Sequence, residues 1–311
     1  MSLAIIGECM MELSQNKEGS TKNYNLGYGG DTLNVALYFA RWKGRVEYVT
    51  ALGDDPFSEA MYDDWKIENI GVKLVQRIPN RQSGLYMVKT NDSGERSFYY
   101  WRDNSPARDL FELENCATIL NDLMSFKYIY FSGITLSLYS QKSLDIFYDF
   151  LKKYKLNGGQ IIFDLNYRPA GWKNNQEALD VFNRFIPLVN IALPSEDDEQ
   201  LLTGQGSPEK IIERYLNFGV SEIVVKCGER GCVLHHQNIT KKILTEVIDN
   251  PVDTTAAGDG FNGGYLAARI AGINCEQAVL YGQKCASRIV QYPGAIIPRS
   301  EWPKDYIIEI L

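Results

Sequence analysis

The chain of 311 residues lacks the features that mark several large classes of protein. It has no run of about 18 apolar residues and no basic segment followed by a short apolar stretch at its start. Neither a membrane-spanning helix nor a secretory leader is therefore predicted, and we expect a cytoplasmic protein. Low-complexity tracts, Pro/Ser-rich linkers and internal repeats are also absent. With 45% hydrophobic and 23% charged residues, the composition is typical of a folded globular chain.

Positive charge is in short supply. The 32 Lys and Arg residues are outnumbered by 39 Asp and Glu residues, which gives a formal net charge of -7 at pH 7. This balance argues against nucleic acid or an anionic membrane as the main partner. A small anionic ligand is still compatible with this net charge, because helix N-termini and single arginines bind anions locally.

Closely spaced cysteines are also scarce. Cys227 and Cys232 lie near each other in the sequence, and His235 and His236 follow them, but no second close Cys pair completes a zinc-binding pattern. We therefore expect the six cysteines to be buried, reduced thiols, with no metal firmly assigned to the chain.

The distribution of apolar residues changes along the chain. From about residue 117, short apolar runs at 128–132, 161–164, 191–193 and 223–226 are each followed by a polar or glycine-containing loop and a helical stretch. This alternation predicts an α/β protein with a doubly wound, mostly parallel sheet flanked by helices. Ligands are then expected at the carboxyl ends of the strands.

The first 110 residues show a second pattern. Residues 3–6 predict a buried strand, and residues 34–42 and 56–69 predict helices. Two further strands at 84–90 and 96–102 are predicted to be joined by a hairpin turn at 91–95. Since a hairpin does not fit inside a parallel sheet, we predict a small β lid. The lid is built from parts of 8–28 and 84–102, on a single domain spanning 1–311.

The most informative segment is 253–266, DTTAAGDGFNGGYL. Gly260, Gly263 and Gly264 fall inside a predicted helix, where each costs about 1 kcal/mol relative to Ala. We therefore expect another backbone, or a ligand, to approach this helix closely.

The start of the same helix predicts an anion site. Ala256, Ala257 and Gly258 leave backbone N–H groups free without any basic side chain. Asp259 would repel an anion there unless it serves as a general base for a hydroxyl that attacks a bound phosphoryl group. The alternative is a first-turn acid that only interacts with the helix dipole.

Segment 253–266 resembles the C-terminal motif of the PfkB, or ribokinase-like, carbohydrate kinases, and Gly29-Gly30-Asp31-Thr32-Leu33-Asn34 resembles their N-terminal motif. The resemblance extends over essentially the whole chain. It implies a ribokinase-like fold and an ATP-dependent phosphotransferase that uses Mg²⁺ bound with the nucleotide, and it leaves open a monovalent cation such as K⁺. Asp259 is then the catalytic base, and Ala256, Ala257 and Gly258 hold the transferred phosphoryl group.

The loop 226–231, KCGERG, follows a predicted strand as the nucleotide loop of that family does. A Lys there can neutralise phosphate charge, although a plain turn is the alternative reading of these residues. The resemblance implies nucleotide contacts from the anion-site residues 256–258 and from Asn166, Arg168, Ser195, Lys226, Gly228, Glu229, Gly231 and Gln283.

The metal-supporting position departs from the family pattern. Where family members often have an Asn followed three residues later by a Glu, this chain has Ser195 and Asp198. Ser195 can equally cap the helix that follows it. Asp198 is therefore only an indirect candidate for holding Mg²⁺.

Two arginines indicate the substrate class. Strand alternation places Tyr100 and Arg102 on one face of the lid, an arrangement that suits a ligand with a carboxylate, although a solvated edge-strand Arg is the alternative. Arg168 follows another predicted strand within Asn-Tyr-Arg-Pro. With the segment 293–298, PGAIIP, these features resemble the branch of the family that acts on 2-keto-3-deoxygluconate.

That resemblance implies phosphorylation of the C6 hydroxyl of the sugar acid, with substrate contacts from Gly30, Asn34, Tyr86, Tyr100, Arg102 and Arg168. Two alternatives stay open: another sugar kinase, for fructose, ribose or a nucleoside, and a non-catalytic sugar- or nucleotide-binding protein. An apolar lid face would further predict a homo-oligomer that pairs through the lid.

Overall fold

A computed structural model describes residues 2–15, 23–90, 96–306 and 308. The strands are β1 (Leu3–Ile6), β2 (Met10–Gln15), β3 (Tyr24–Gly29), β4 (Val46–Leu52), β5 (Val75–Arg77), β6 (Leu85–Thr90), β7 (Arg96–Trp101), β8 (Tyr128–Ser132), β9 (Gln160–Asp164), β10 (Ile191–Ala192), β11 (Glu222–Lys226), β12 (Cys232–His236) and β13 (Ile239–Ile243). The α-helices are α1 (Asp31–Arg41), α2 (Pro56–Ile67), α3 (Cys116–Leu123), α4 (Gly133–Leu138), α5 (Gln141–Leu156), α6 (Asn175–Phe185), α7 (Glu196–Thr203), α8 (Pro208–Asn217), α9 (Ala257–Ile270) and α10 (Cys275–Ile289). The predicted turn at 91–95 lies outside the described residues.

The larger sheet has nine strands in the order β13-β12-β11-β10-β9-β8-β1-β4-β5. All neighbours from β11 to β5 are parallel, and β12 and β13 add an antiparallel edge. The predicted doubly wound, mostly parallel α/β fold is confirmed. The carboxyl ends of β1, β8, β9, β10 and β11 therefore lie along one edge of the sheet, where such folds bind ligands.

The sheet is buried on both faces. Along β1, Ala4 and Ile6 pack into one core layer and Leu3 and Ile5 into the other, because successive side chains of a strand point to opposite faces. Helices α5 and α6 cover the first layer, and helices α1, α9 and α10 cover the second. This double cover explains why the central strands are continuous apolar runs.

Helix packing accounts for the glycines of α9. A Cβ on Gly263 would lie 3.1 Å from the carbonyl oxygen of Val35 in α1, and one on Gly264 would lie 2.6 Å from that of Tyr281 in α10. A Cβ on Gly260 would overlap a side chain of α10. Of the two expectations for these glycines, close approach of another backbone is therefore the one that the structure bears out for Gly263 and Gly264.

The smaller sheet has the order β3-β2-β6-β7. Apart from Gly29 at the end of β3, its strands fall within the segments predicted to form a lid, and β6 and β7 pair antiparallel with Tyr86 opposite Tyr100. Large apolar side chains are exposed on it, among them Leu26, Phe98 and Trp101. That this sheet covers the site, and that it belongs to a single domain with the larger sheet, stay predictions.

Some elements differ from the sequence-based expectations. Helix α1 begins at Asp31, before the predicted start, because the backbone of Gly30 serves as its N-cap without a side-chain hydrogen bond. Strand β4 is not singled out by the sequence pattern, since Glu47 and Thr50 interrupt its apolar run. In the structure Glu47 accepts a hydrogen bond of 3.0 Å from the backbone N–H of Leu74.

All six cysteines are free. Four are buried as expected, but Cys116 and Cys275 are partly exposed, because each is the first residue of a surface helix, α3 and α10 respectively. Within the described ranges, the helices are too short or too polar to cross a bilayer.

Candidate active site

The amino end of α9 is strained and uncapped. Ala256, which precedes the helix, has a left-handed backbone with φ 59°, and none of the described side chains caps the helix there. A non-glycine residue in this conformation costs on the order of 1–3 kcal/mol, and such strain is commonly found at functional sites. The first-turn N–H groups, including those of Gly258 and Asp259, have no carbonyl partner within the helix and can bind an anion.

Asp259 lies at this helix end and contacts α1. Asn34, which is buried in α1, donates a hydrogen bond of 2.9 Å from Nδ2 to Asp259 Oδ2. Desolvation and, after it, the negative charge of Asp31 raise the pKa of Asp259 to about 7, against the opposing effect of the Asn34 hydrogen bond. A carboxylate whose pKa lies close to neutral pH is well suited to accept a proton from an alcohol.

Asp31 and Asn166 join α1 to the loop after β9. Asn166 has a left-handed φ of 33° and donates a hydrogen bond of 2.8 Å from Nδ2 to Asp31 Oδ2. Burial raises the pKa of Asp31. Asp31 was not among the predicted site residues, although its place in the Gly-Gly-Asp sequence at the start of a helix was a usable signal.

Lys226 ends β11 beside the same helix terminus. A Cβ on Gly258 would lie 3.7 Å from Lys226 Nζ. The ammonium group also contacts Asp164 Oδ2 at 2.7 Å. The structure thus brings together three of the predicted residues, Lys226, Gly258 and Asp259, although the first lies more than 30 positions before the others in the chain.

The predicted nucleotide loop is only partly open. Gly228 has φ 57° with open space where a Cβ would be. At Gly231, by contrast, a Cβ would lie 2.1 Å from the carbonyl oxygen of Ile243, so that glycine makes room for the chain itself rather than for a nucleotide. Gln283 of α10 donates a hydrogen bond of 3.3 Å to the same carbonyl, and Glu229 is exposed. The loop, the end of β13 and α10 therefore adjoin one another.

Ser195 caps α7, as the structural alternative predicted. Its hydroxyl accepts a hydrogen bond of 3.2 Å from the backbone N–H of Asp198. Arg168 donates a hydrogen bond of 2.7 Å to the carboxylate of Asp198. Arg168 is half exposed and so lies where an incoming anion can reach it.

Of the two neighbouring acids Asp198 and Glu199, one has a carboxylate oxygen that Mg²⁺ can bind. This ion typically takes one or two carboxylates together with substrate phosphates and water. Glu199 is committed elsewhere, because both of its oxygens accept from Arg214 Nη1 at 2.8 and 3.0 Å. Asp198 pairs with Arg168 through Oδ1, and its second oxygen fits the requirement.

The second sheet brings Arg102 against the main body of the protein. Arg102 forms an ion pair with Glu8, whose side chain is 1% exposed. The guanidinium carbon lies 5.8 Å from the centre of the Tyr100 ring, and the rings of Tyr86 and Tyr100 are 6.0 Å apart. Arg102 Nε and Glu8 Oε1 are buried without a hydrogen-bond partner in the described part of the chain. The pair is therefore incompletely satisfied.

Glu8 is a residue of the candidate site that sequence reasoning missed. It follows β1 at the same sheet edge where Asp164 ends β9, and that position was the available signal. Gly30 is required beside it, because a Cβ there would lie 2.2 Å from the carbonyl oxygen of Glu8. Tyr86 donates a hydrogen bond to another acidic residue that was not predicted, Glu12.

Comparison with known proteins identifies the family to which this chain belongs. Residues 1–302 match the family model described as pfkB family carbohydrate kinase, so the chain belongs to the PfkB family of carbohydrate kinases. It is 43% identical over 311 residues to the 2-dehydro-3-deoxygluconokinase of Escherichia coli strain K12, with 97% of this chain and 98% of that protein covered. The corresponding enzyme of Dickeya dadantii is 40% identical over 312 residues with the same coverage.

Solved structures support the same fold. A 2-dehydro-3-deoxygluconokinase from Thermotoga maritima superposes with a TM-score of 0.81 at 20% identity, covering 96% of this chain and 94% of its own. A fructokinase from Vibrio cholerae O395, solved with fructose, ADP and a calcium ion, gives a TM-score of 0.80 at 26% identity with 94% of each chain covered. The predicted ribokinase-like fold is confirmed.

Proposed function

We propose that this PfkB kinase transfers the γ-phosphoryl group of ATP to the C6 hydroxyl of 2-keto-3-deoxygluconate, the sugar acid also called 2-dehydro-3-deoxygluconate. The observation that carries the proposal is the Asp259 carboxyl at the uncapped amino end of α9, held by Asn34 at 2.9 Å. The choice of sugar acid is supported by 35–43% identity to 2-dehydro-3-deoxygluconokinases over most of the chain.

In this mechanism Asp259 accepts the proton of the C6 hydroxyl as its oxygen attacks the γ-phosphorus. The new bond joins that oxygen to phosphorus, and the bond between phosphorus and the bridging oxygen of ADP breaks. In the Ala256–Gly258 turn, the backbone N–H of Gly258 stabilises the charge on the transferred group, whereas that of Ala257 already donates to the Thr254 carbonyl oxygen at 3.2 Å. The Lys226 ammonium, next to Gly258, compensates the charge of the phosphates.

The substrate and nucleotide contacts predicted from the sequence are kept as proposals, except that of Gly231, which makes room for the backbone at Ile243. We propose that the second sheet closes over the sugar acid and presents Arg102 to its carboxylate, with Gly30, Asn34, Tyr86, Tyr100 and Arg168 lining the same site. The nucleotide is proposed to lie between the Gly228 loop and α10. Mg²⁺ bound with ATP would neutralise phosphate charge, and Asp198 is the residue proposed to hold the ion.

Three finer points are also proposals. A monovalent cation such as K⁺ is proposed as a further cofactor, supported by a fructokinase variant from Vibrio cholerae O395 that was solved with fructose, ADP and a potassium ion at 25% identity. Pairing of two chains through the second sheet is supported by its exposed Leu26, Phe98 and Trp101; light scattering that finds only monomer would contradict it. A cytoplasmic location is proposed because ATP, the phosphoryl donor, is a cytoplasmic metabolite.

A panel of sugars tests the proposed function. ADP release by the purified protein is measured with 2-keto-3-deoxygluconate, fructose, ribose and a nucleoside as acceptors. We expect kcat/KM for the sugar acid to exceed that for the neutral sugars by at least about tenfold, the effect of one lost charge-assisted hydrogen bond. A preference for a neutral sugar would favour the other kinases, and absence of ADP release with all acceptors would favour a binding protein.

The pH dependence of the reaction follows from the pKa of Asp259. The base must be ionised, and its pKa is raised to about 7, so kcat/KM should fall as pH drops below about 7 and level off above it. Asp31→Asn is expected to move this acid limb to lower pH, because the charge of Asp31 contributes to the raised pKa. A rate that is constant down to about pH 5 would contradict the assignment of the base.

A further inference from the structure

A closed triangle of polar side chains lies at the carboxyl edge of the sheet, where β9, β11 and α9 meet. Lys226 Nζ donates to Asp164 Oδ2 at 2.7 Å and to Asn262 Oδ1 at 3.2 Å. Asn262 Nδ2 in turn donates to Asp164 Oδ2 at 2.6 Å and to the hydroxyl of Tyr130 at 3.2 Å. Each member of the triangle is thus held by the other two, and Tyr130 of β8 anchors it to the sheet.

The members of the triangle differ in their access to solvent. Asp164 is 2% exposed and Asn262 is fully buried, so neither is placed to reach a ligand. The Lys226 side chain is 12% exposed, and its ammonium lies 3.7 Å from where a Cβ on Gly258 would be. An ammonium group has three donors, of which Asp164 and Asn262 take two. In the described part of the chain the third has no acceptor, and it is available to a phosphate oxygen.

A gain in fold stability is a weak explanation for this arrangement. Burying an ion pair costs desolvation that can exceed the Coulombic gain, and apolar residues of similar volume often serve the fold equally well. The same strand and helix carry a second buried pair at their opposite ends, where Glu222 accepts from Arg269 Nη2 at 2.7 Å and from the Tyr265 hydroxyl at 2.6 Å. That pair lies at the far edge of the sheet and provides a matched control.

We propose that Asp164 and Asn262 are positioning residues that hold the Lys226 ammonium at the amino end of α9, where it stabilises the charge of the phosphoryl group in transfer. The inference rests on the proposed function, because it assigns a role within phosphoryl transfer from ATP. The triangle makes Lys226 a fixed charge rather than a flexible one, so little reorganisation is needed when the phosphoryl group moves.

Among the described residues, the charges that face Asp259 at this edge are the carboxylates of Asp31 and Asp164 and the cations of Lys226 and Arg168. Removing the charge of Asp164 therefore moves the acid limb of the rate profile to lower pH, and removing that of Lys226 moves it to higher pH. Such a shift shows that the charge lies close to Asp259, and kcat then separates a positioning role from one confined to fold stability.

The test compares Lys226→Met, Asp164→Asn, Asn262→Leu and the double variant Lys226→Met/Asp164→Asn. Each single change is expected to lower kcat about 10- to 100-fold, the effect of one charge-assisted contact, with KM for the sugar within about twofold. In the Lys226→Met background, Asp164→Asn should lower kcat by no more than about twofold further, because Asp164 acts through the lysine. Glu222→Gln should lower thermal stability and leave kcat within about twofold.

Independent, multiplying losses in the double variant would overturn the proposal, as would variants that lose thermal stability with kcat and the acid limb unchanged. If Lys226→Met fails to fold because Asp164 is left buried without a partner, the double variant removes that charge and is compared with Asp164→Asn and Asn262→Leu.

If the wild type phosphorylates no sugar, the proposed function fails, and calorimetric titration with ATP then tests the inference separately. Affinity for ATP should then fall about tenfold in Asp164→Asn with affinity for adenosine unchanged, and equal affinities for ATP in variant and wild type would overturn it.

Discussion

Replacing Asp259 with Asn is expected to lower kcat about 100- to 10,000-fold, the contribution of a positioned general base, and to leave ATP affinity largely unchanged. Asparagine keeps the shape of the side chain, including an oxygen that can accept the Asn34 hydrogen bond, but its amide takes no proton from the C6 hydroxyl. ADP release at saturating substrate measures the first quantity, and calorimetric titration with ATP measures the second.

Glu276→Gln is the matched control for that variant. Glu276 is a first-turn acid of α10, the helix packed against α9, and it is half exposed in a pair with Lys241 at 2.6 Å. Its loss removes the same kind of helix-dipole interaction without touching the site, so kcat should stay within about twofold of wild type. Turnover close to wild type in Asp259→Asn would refute the assignment of the base.

Replacing Arg102 with Ala is expected to raise KM for the sugar acid about 10- to 100-fold, with a much smaller effect on kcat and on any neutral sugar that is turned over. The reason is the loss of charge-assisted hydrogen bonds to the carboxylate, each of which contributes about 1.5–3 kcal/mol. Tyr100, which lies against the guanidinium, stays in place in this variant. Initial rates across a range of sugar concentrations separate KM from kcat.

The pairing of Arg102 with Glu8 provides the control for this prediction. Arg102→Ala alone leaves the Glu8 carboxylate buried without a cation, which destabilises the fold independently of substrate binding. The double variant Arg102→Ala/Glu8→Gln removes both charges and should recover thermal stability while KM for the sugar acid stays high. A KM that returns to the wild-type value in the double variant would mean that Arg102 only neutralises Glu8.

Most elements of the main sheet could be predicted because their signals are local. The run predicted at 128–132 is β8 (Tyr128–Ser132), and those at 161–164 and 223–226 differ from β9 and β11 by one residue at one end. Continuous apolar runs are typical of strands buried on both faces, so they identify a parallel sheet without any knowledge of their neighbours. Strand β4 escaped prediction because Glu47 and Thr50 interrupt its apolar run, and the partner of Glu47, the backbone N–H of Leu74, is one that only the fold provides.

The chemistry of the site was predictable only in part. The motif around Asp259 has a local signature, since an acid beside small residues at a helix start is unusual in itself. The groups that set the properties of Asp259 have no such signature: Asn34 lies 225 positions away in the sequence, and the Lys226–Asp164 contact spans 62. Glu8 is likewise recognisable as the partner of Arg102 only when the second sheet is placed against β1.

The order of apolar and polar residues along the chain was enough to define the class of fold, the helix that carries Asp259 and the loop that carries Lys226, because each depends on neighbours within one element. The partners of those residues were decided by the strand order of the sheet, which brings the ends of β1, β9 and β11 to one edge. Burial there shifts pKa values and pairs charges from distant segments, and both effects act through space rather than along the chain.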